Sequence, residues 1–146
     1  MQNTASSREF GAAWVTLCGA FVLHVVDEAL TGFLSVYNPT VMALRDGAPW
    51  LPLPTFTFEL WLSGLILANV GLLLLSPYAF RGARWMRPIA YGFAVIMFLN
   101  GMVHTAGTIA GQTVASVRFA RTMPGFYSSP FLIAAAIYLL SRLRRP

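Results

Sequence analysis

The amino-acid sequence predicts an all-α fold: a polytopic integral membrane bundle of four transmembrane helices. Three observations predict it. Of 146 residues, 57% are hydrophobic and only 10% charged, against roughly 25% charged in a soluble domain. The apolar residues gather in four long runs, and the first three have the length that crosses a bilayer, about 17–25 residues. The arginines collect mainly between and beyond those runs. No polar stretch is long enough for a separate soluble domain, so 1–146 reads as one membrane domain.

The elements follow in order. The first helix is expected over 10–33 and reads as a span rather than a cleaved leader, because His24, Asp27 and Glu28 interrupt the smooth apolar core a leader needs. A long outer loop is expected over 34–57, where Pro39, Pro49, Pro52 and Pro54 argue against a regular helix through most of it. The second helix is expected over 58–75, ending before Ser76-Pro77. The third is expected over 88–110, with Pro88 in its first turn and a Gly107/Gly111 pair that permits close helix approach. The stretch QTVASVRFARTM suggests a short amphipathic piece at the outer surface. The fourth helix is expected over 124–143, with Pro130 opening or kinking it and Ser129 placed to cap it.

The basic residues are all arginine and set the orientation. Arg8, Arg81, Arg84, Arg87, Arg142, Arg144 and Arg145 fall on one side, and Arg45, Arg118 and Arg121 on the other. This bias places both termini in the cytoplasm and the chain in the inner (cytoplasmic) membrane, with lipid as its surroundings. It excludes a nucleic-acid partner, since nothing resembles a groove-binding module. Trp14 and Trp85 are expected at the inner interface, Trp50 and Trp61 at the outer. The single cysteine, Cys18, excludes an intrachain disulfide and reads as a packing residue.

Chemistry is expected where ionisable groups sit in apolar helices, since each is costly there unless paired or hydrated. His24, Asp27 and Glu28 share one helical face at i, i+3, i+4, and Asn100 and His104 share another at i, i+4. Counting at 1.5 Å per residue, His24 and His104 lie roughly 21 and 24 Å from the inner edge. Glu59, near the start of a helix running the opposite way, falls at a similar level. The candidate site is therefore His24, Asp27, Glu28, Glu59, Asn100 and His104.

The segments HVVDE (24–28), NGMVH (100–104) and MPG (123–125) resemble the small bacterial membrane proteins named for an HXXEE motif, which also carry a second histidine and a YXPG motif. The resemblance covers nearly the whole chain and implies that His24, Asp27, Glu28 and His104 are the marked positions. Asp27 stands where the motif has its first Glu, and Thr122 where YXPG has its Tyr, with Tyr127 nearby. The resemblance implies a site without naming a reaction. In architecture alone, the chain is similar to the emopamil-binding type of sterol isomerase.

Three functions suit these residues. The leading one is an acid–base enzyme, an isomerase or cyclase that needs no cofactor and acts on a small apolar substrate such as a terpenoid or polyketide. The second is a metal-dependent enzyme in which His24, Glu28 and His104 hold Zn or Fe. The third is a proton-coupled carrier or binder, for which four helices are few unless copies assemble into an oligomer.

Overall fold

The computed structural model describes residues 4–119 and 121–143. Arg144 and Arg145, used above for orientation, lie outside them. The described residues are mainly helical: α1 (Thr4–Thr31), α2 (Leu34–Gly47), α3 (Phe58–Leu74), α4 (Ser76–Phe80), α5 (Met86–Ala110) and α6 (Ser129–Leu143), with a small hairpin among them, β1 (Gln112–Val114) and β2 (Val117–Arg118). Three stretches, Ser6–Thr31, Phe58–Phe80 and Met86–Ala110, are long and apolar enough to cross a membrane. The α6 helix is apolar but has 15 residues, short of a full span. The helices thus fit a multi-pass membrane protein.

A heptad-like seam holds α1, α5 and α6 together. Phe10, Ala13, Trp14, Leu17, Cys18, Phe21 and Val25 bury one face of α1, at the three- and four-residue spacing that lines one side of a helix. Met86, Ala90, Phe93, Ala94 and Met97 do the same on α5, and Leu132, Ala135, Ala136 and Leu139 on α6. Gly101 lets α6 approach α5: a Cβ there would lie 2.7 Å from Ile133 and 3.2 Å from the Ser129 carbonyl. Gly11 does so between α1 and α4, where a Cβ would overlap Phe80. Cys18 packs in this core as expected. The α3 helix lies outside the seam against α1, with Leu60, Ile66, Leu67 and Leu74 facing outward, as a helix apolar all round does in lipid.

Several expectations are corrected. The loop foreseen over 34–57 contains the 14-residue helix α2, which includes Pro39. Three of the four prolines lie beyond its end at Gly47. Pro39 itself forgoes one ladder bond, that to the Ser35 carbonyl. Two bonds between the Asn38 side chain and the Phe56 backbone (2.9 and 3.1 Å), and one from the Tyr37 hydroxyl to the Pro54 carbonyl (3.1 Å), strap the proline-rich strand onto α2. The first half of the QTVASVRFARTM stretch is the β1–β2 hairpin, following the β-branched Thr113, Val114 and Val117. Gly107 and Gly111 join no helix pair. Gly111 is the left-handed cap of α5 (φ +66°), and Gly107 receives the Met123 side chain. Trp14 and Trp61 are buried within the bundle. The Trp14 indole donates to the Leu72 carbonyl (3.1 Å) and Trp61 stacks near Phe33. The fourth helix starts at Ser129, five residues later than expected, because 121–128 forms a turn over the bundle end.

Candidate functional site

Where the apolar seam reaches the C-terminal halves of α1 and α5, its buried residues turn polar. His24 and Glu28 continue the buried series of α1, and His104 continues that of α5. All three are buried, at 0%, 4% and 2% exposure, and they converge. Glu28 Oε1 lies 3.1 Å from His104 Nε2 and 3.4 Å from His24 Nε2. The two imidazoles meet edge to face, centroids 4.8 Å apart. The expectation that the histidines and an acid from separate helices form one pocket is met by these three residues.

Glu28 is held in place by the way α1 ends. Gly32 (φ +77°) reverses the chain, and the Phe33 N–H closes back onto the Glu28 carbonyl (2.9 Å), a Schellman arrangement that fixes the last turn. The turn after β2 then covers the cluster. Gly125, in the left-handed region (φ +84°), passes so close that a Cβ would stand 2.9 Å from Glu28 Cγ and from His104 Cε1 and Nδ1. Its N–H donates to the Thr31 hydroxyl (3.2 Å) and the Met123 N–H to the Thr108 hydroxyl (2.9 Å), which pins this turn to the ends of α1 and α5.

Asp27 takes a different direction from Glu28. Its Oδ2 accepts from the Ser128 N–H and from the Ser128 hydroxyl, both at 2.8 Å. It thereby caps the first free N–H of α6 with a negative charge, where the helix dipole favours one. Ser128 in turn lies 2.8 Å from His24 Nδ1. This chain fixes the imidazole. The serine has one proton, and its near neighbours include Asp27 Oδ2 and the Gly125 carbonyl (3.1 Å), both acceptors. With that proton given to Asp27, the hydroxyl must accept from His24, so Nδ1 carries the hydrogen. With hydrogen on Nδ1 alone, the ring would present the lone pair of Nε2 towards Glu28 Oε1, 3.4 Å away. Among the described residues, His24 Nε2 and His104 Nδ1 are buried without a hydrogen-bond partner.

Two spaces border the cluster. A cavity of about 640 Å³ runs between α2, α5 and β1, with His104, Asn100 and Phe33 in its wall. A smaller one, about 130 Å³, reaches Glu28 from the other side, between Gly32, Phe58 and Trp61. Two expected members stand apart. Glu59 is exposed in the first turn of α3, as a carboxylate near a helix N-terminus commonly is. Asn100 lines the large cavity without joining the cluster. Tyr127 is 64% exposed and substitutes for no missing tyrosine of the pocket. From the sequence, Ser128 had no role assigned, since Ser129 stood as the cap candidate beside Pro130; Gly125 entered only within the MPG segment, and the Pro124-Gly125 pair was the available signal for a tight turn.

No protein family, curated protein or solved structure matches the chain. Fold and site define a helical protein with three membrane-length apolar helices and a buried His–Glu–His cluster. Those three residues could hold a metal ion, with one ligand atom from each lying within 4.8 Å of the others.

Proposed function

We propose that this chain is a multi-pass protein of the cytoplasmic membrane, both termini inside, that carries out acid–base chemistry on a small apolar molecule. The observation that carries the reading is the buried approach of His24 Nε2 to Glu28 Oε1, 3.4 Å apart; where both atoms present lone pairs they repel unless a positive charge lies between them. A shared proton supplies that charge. His104, 3.1 Å from the same oxygen, borders the large cavity, so it is the member that would exchange the proton with a substrate. It takes a proton from one carbon and returns one to another, a 1,3-shift that leaves atoms and electrons balanced. Glu28 and His24 hold the proton meanwhile, and the small space beside Glu28 gives a route for its renewal. Asn100 orients the substrate.

The test uses the purified full chain in lipid nanodiscs with deuterated water. A panel of apolar β,γ-unsaturated ketones and terpenoid enones is offered, and deuterium in recovered substrate and product is read by mass spectrometry. Incorporation that disappears in Glu28→Gln and His104→Ala, with folding intact, is expected. Full incorporation in Glu28→Gln would remove the reading.

A second reading, a metal centre, is favoured by the spacing. Ligand atoms about 2.0–2.1 Å from a tetrahedral Zn stand about 3.3 Å from one another; the two histidine–glutamate distances, 3.1 and 3.4 Å, are close to this, and all three ligand atoms lie within 4.8 Å of one another. Two imidazoles and a carboxylate suit Zn or Fe, and the Ser128–Asp27 chain behind His24 is the kind of outer support that metal-bound histidines carry. Elemental analysis of the purified protein decides between the readings: a stoichiometric ion lost in His24→Ala replaces the proton by a metal.

A further inference from the structure

The large cavity has a composition of its own. No arginine, aspartate or glutamate lines it, and His104 is its one titratable imidazole, although the chain has ten arginines. Val36, Val103, Ala106, Ala110 and Met123 make the walls apolar. The lining follows α5 from Asn100 to Ala110, about 15 Å at the helical rise. Its volume lies within the range that accepts a small ligand, about 300–1,000 Å³. Polar groups mark the two ends: Asn100 and His104 at one, Thr40, Gln112 and Thr113 at the other.

The helix directions add an electrostatic argument. Phe33, which precedes α2, stacks near His104 (5.8 Å), while Thr40, further along α2, hydrogen-bonds Thr113 just beyond α5. The two helices therefore run the same way along the cavity, and both C-terminal ends lie towards the hairpin. Helix C-termini carry partial negative charge, and no arginine lines the cavity to hold a phosphate or carboxylate inside it, Arg45 in the last turn of α2 and Arg118 in the hairpin both standing outside the lining. A cationic group would enter without a carboxylate partner, at a cost of several kcal/mol.

We infer that the α2–α5 cavity binds an uncharged, elongated apolar molecule with one hydrogen-bonding group, which it presents to Asn100 and His104. The inference rests on the reading of the cluster as a working site, and it holds whether a proton or a metal sits there. The class is that of terpenoid alcohols, ketones and epoxides; prenyl diphosphates, free fatty acids and long-chain amines fall outside it. The two alanines provide a way to close the cavity without disturbing the core, because Ala106 and Ala110 are both exposed on the cavity side of α5.

The experiment measures retention of radiolabelled farnesol on the full chain in phosphatidylcholine nanodiscs. Unlabelled farnesol, farnesyl diphosphate and dodecylamine serve as competitors. Saturable binding is expected, with both charged competitors at least tenfold weaker than farnesol. Ala106→Phe and Ala110→Phe should each weaken binding at least tenfold while eluting from size exclusion like the parent. Equal competition by the diphosphate or the amine overturns the inference, as does unchanged binding in both phenylalanine variants. A phospholipid that farnesol fails to displace does so as well, by making the occupant an acyl chain. The two proposals fail separately: farnesol binding that is absent in wild type refutes the cavity, whereas deuterium exchange that survives in Glu28→Gln refutes the acid–base reading.

Discussion

Ser128→Ala is the perturbation that tests the logic of the site most directly. The hydroxyl receives the His24 Nδ1 hydrogen at 2.8 Å and passes its own to Asp27 at 2.8 Å. Its removal leaves a buried imidazole N–H without an acceptor, while the Ser128 backbone N–H can still reach Asp27. Leaving such a donor unpaired costs about 1–3 kcal/mol. The same energy is what favours the Nδ1–H tautomer over the Nε2–H form. Its loss shifts the tautomer ratio by between about five- and 150-fold, at ten-fold per 1.4 kcal/mol. With the hydrogen moved to Nε2, His24 can donate to Glu28, and the electron-rich gap closes. Long-range ¹H–¹⁵N correlation spectra of the histidine rings in detergent micelles read the tautomer directly. Wild type should show protonated Nδ1 on His24, and Ser128→Ala a loss of that form, with unfolding in denaturant eased by about 1–3 kcal/mol. Protonated Nε2 on a neutral His24 in the wild type, or a spectrum indifferent to Ser128→Ala, would refute the reasoning.

Three further outcomes are expected. Gly125→Ala forces a Cβ into the left-handed region and to within 2.9 Å of Glu28 and His104. It should destabilise by about 2–5 kcal/mol, from backbone strain together with overpacking, measured as a lowered denaturation midpoint. Glu59→Gln, at an exposed position in the first turn of α3, should leave deuterium exchange unchanged and cost under about 1 kcal/mol. Arg142→Ala breaks the pair with Glu9 (2.6 Å) and the stacking over Tyr138; as both partners are partly exposed, a loss of about 0–1 kcal/mol in unfolding measurements is expected.

The positions of the site residues along the chain carried more information than their chemical type. His24, Glu28 and His104 continue the buried three- and four-residue series of α1 and α5, and that periodicity is visible in the sequence. Asp27 and Glu59 are equally acidic but off the series. One caps α6 and the other faces outward. Matching depth placed Glu59 beside the histidines, yet depth fixes one coordinate only, and the rotation of α3 about its axis decides the rest. Local propensity misjudged α2 for a related reason: the contacts of Tyr37 and Asn38 with the proline-rich strand are tertiary, and they offset the bond Pro39 lacks.

Composition and periodicity alone determined the all-helical class and the two histidines as candidates, because burial in an apolar surrounding leaves its mark on every residue of a helix; of the four spans expected, three helices have membrane length and α6 is shorter. The tertiary structure alone decided which carboxylate meets them, that Ser128 sets the proton on His24, and that Gly125 closes the pocket. These depend on the approach of a turn 100 residues away, and no local spacing encodes the contact between residues so far apart in the chain.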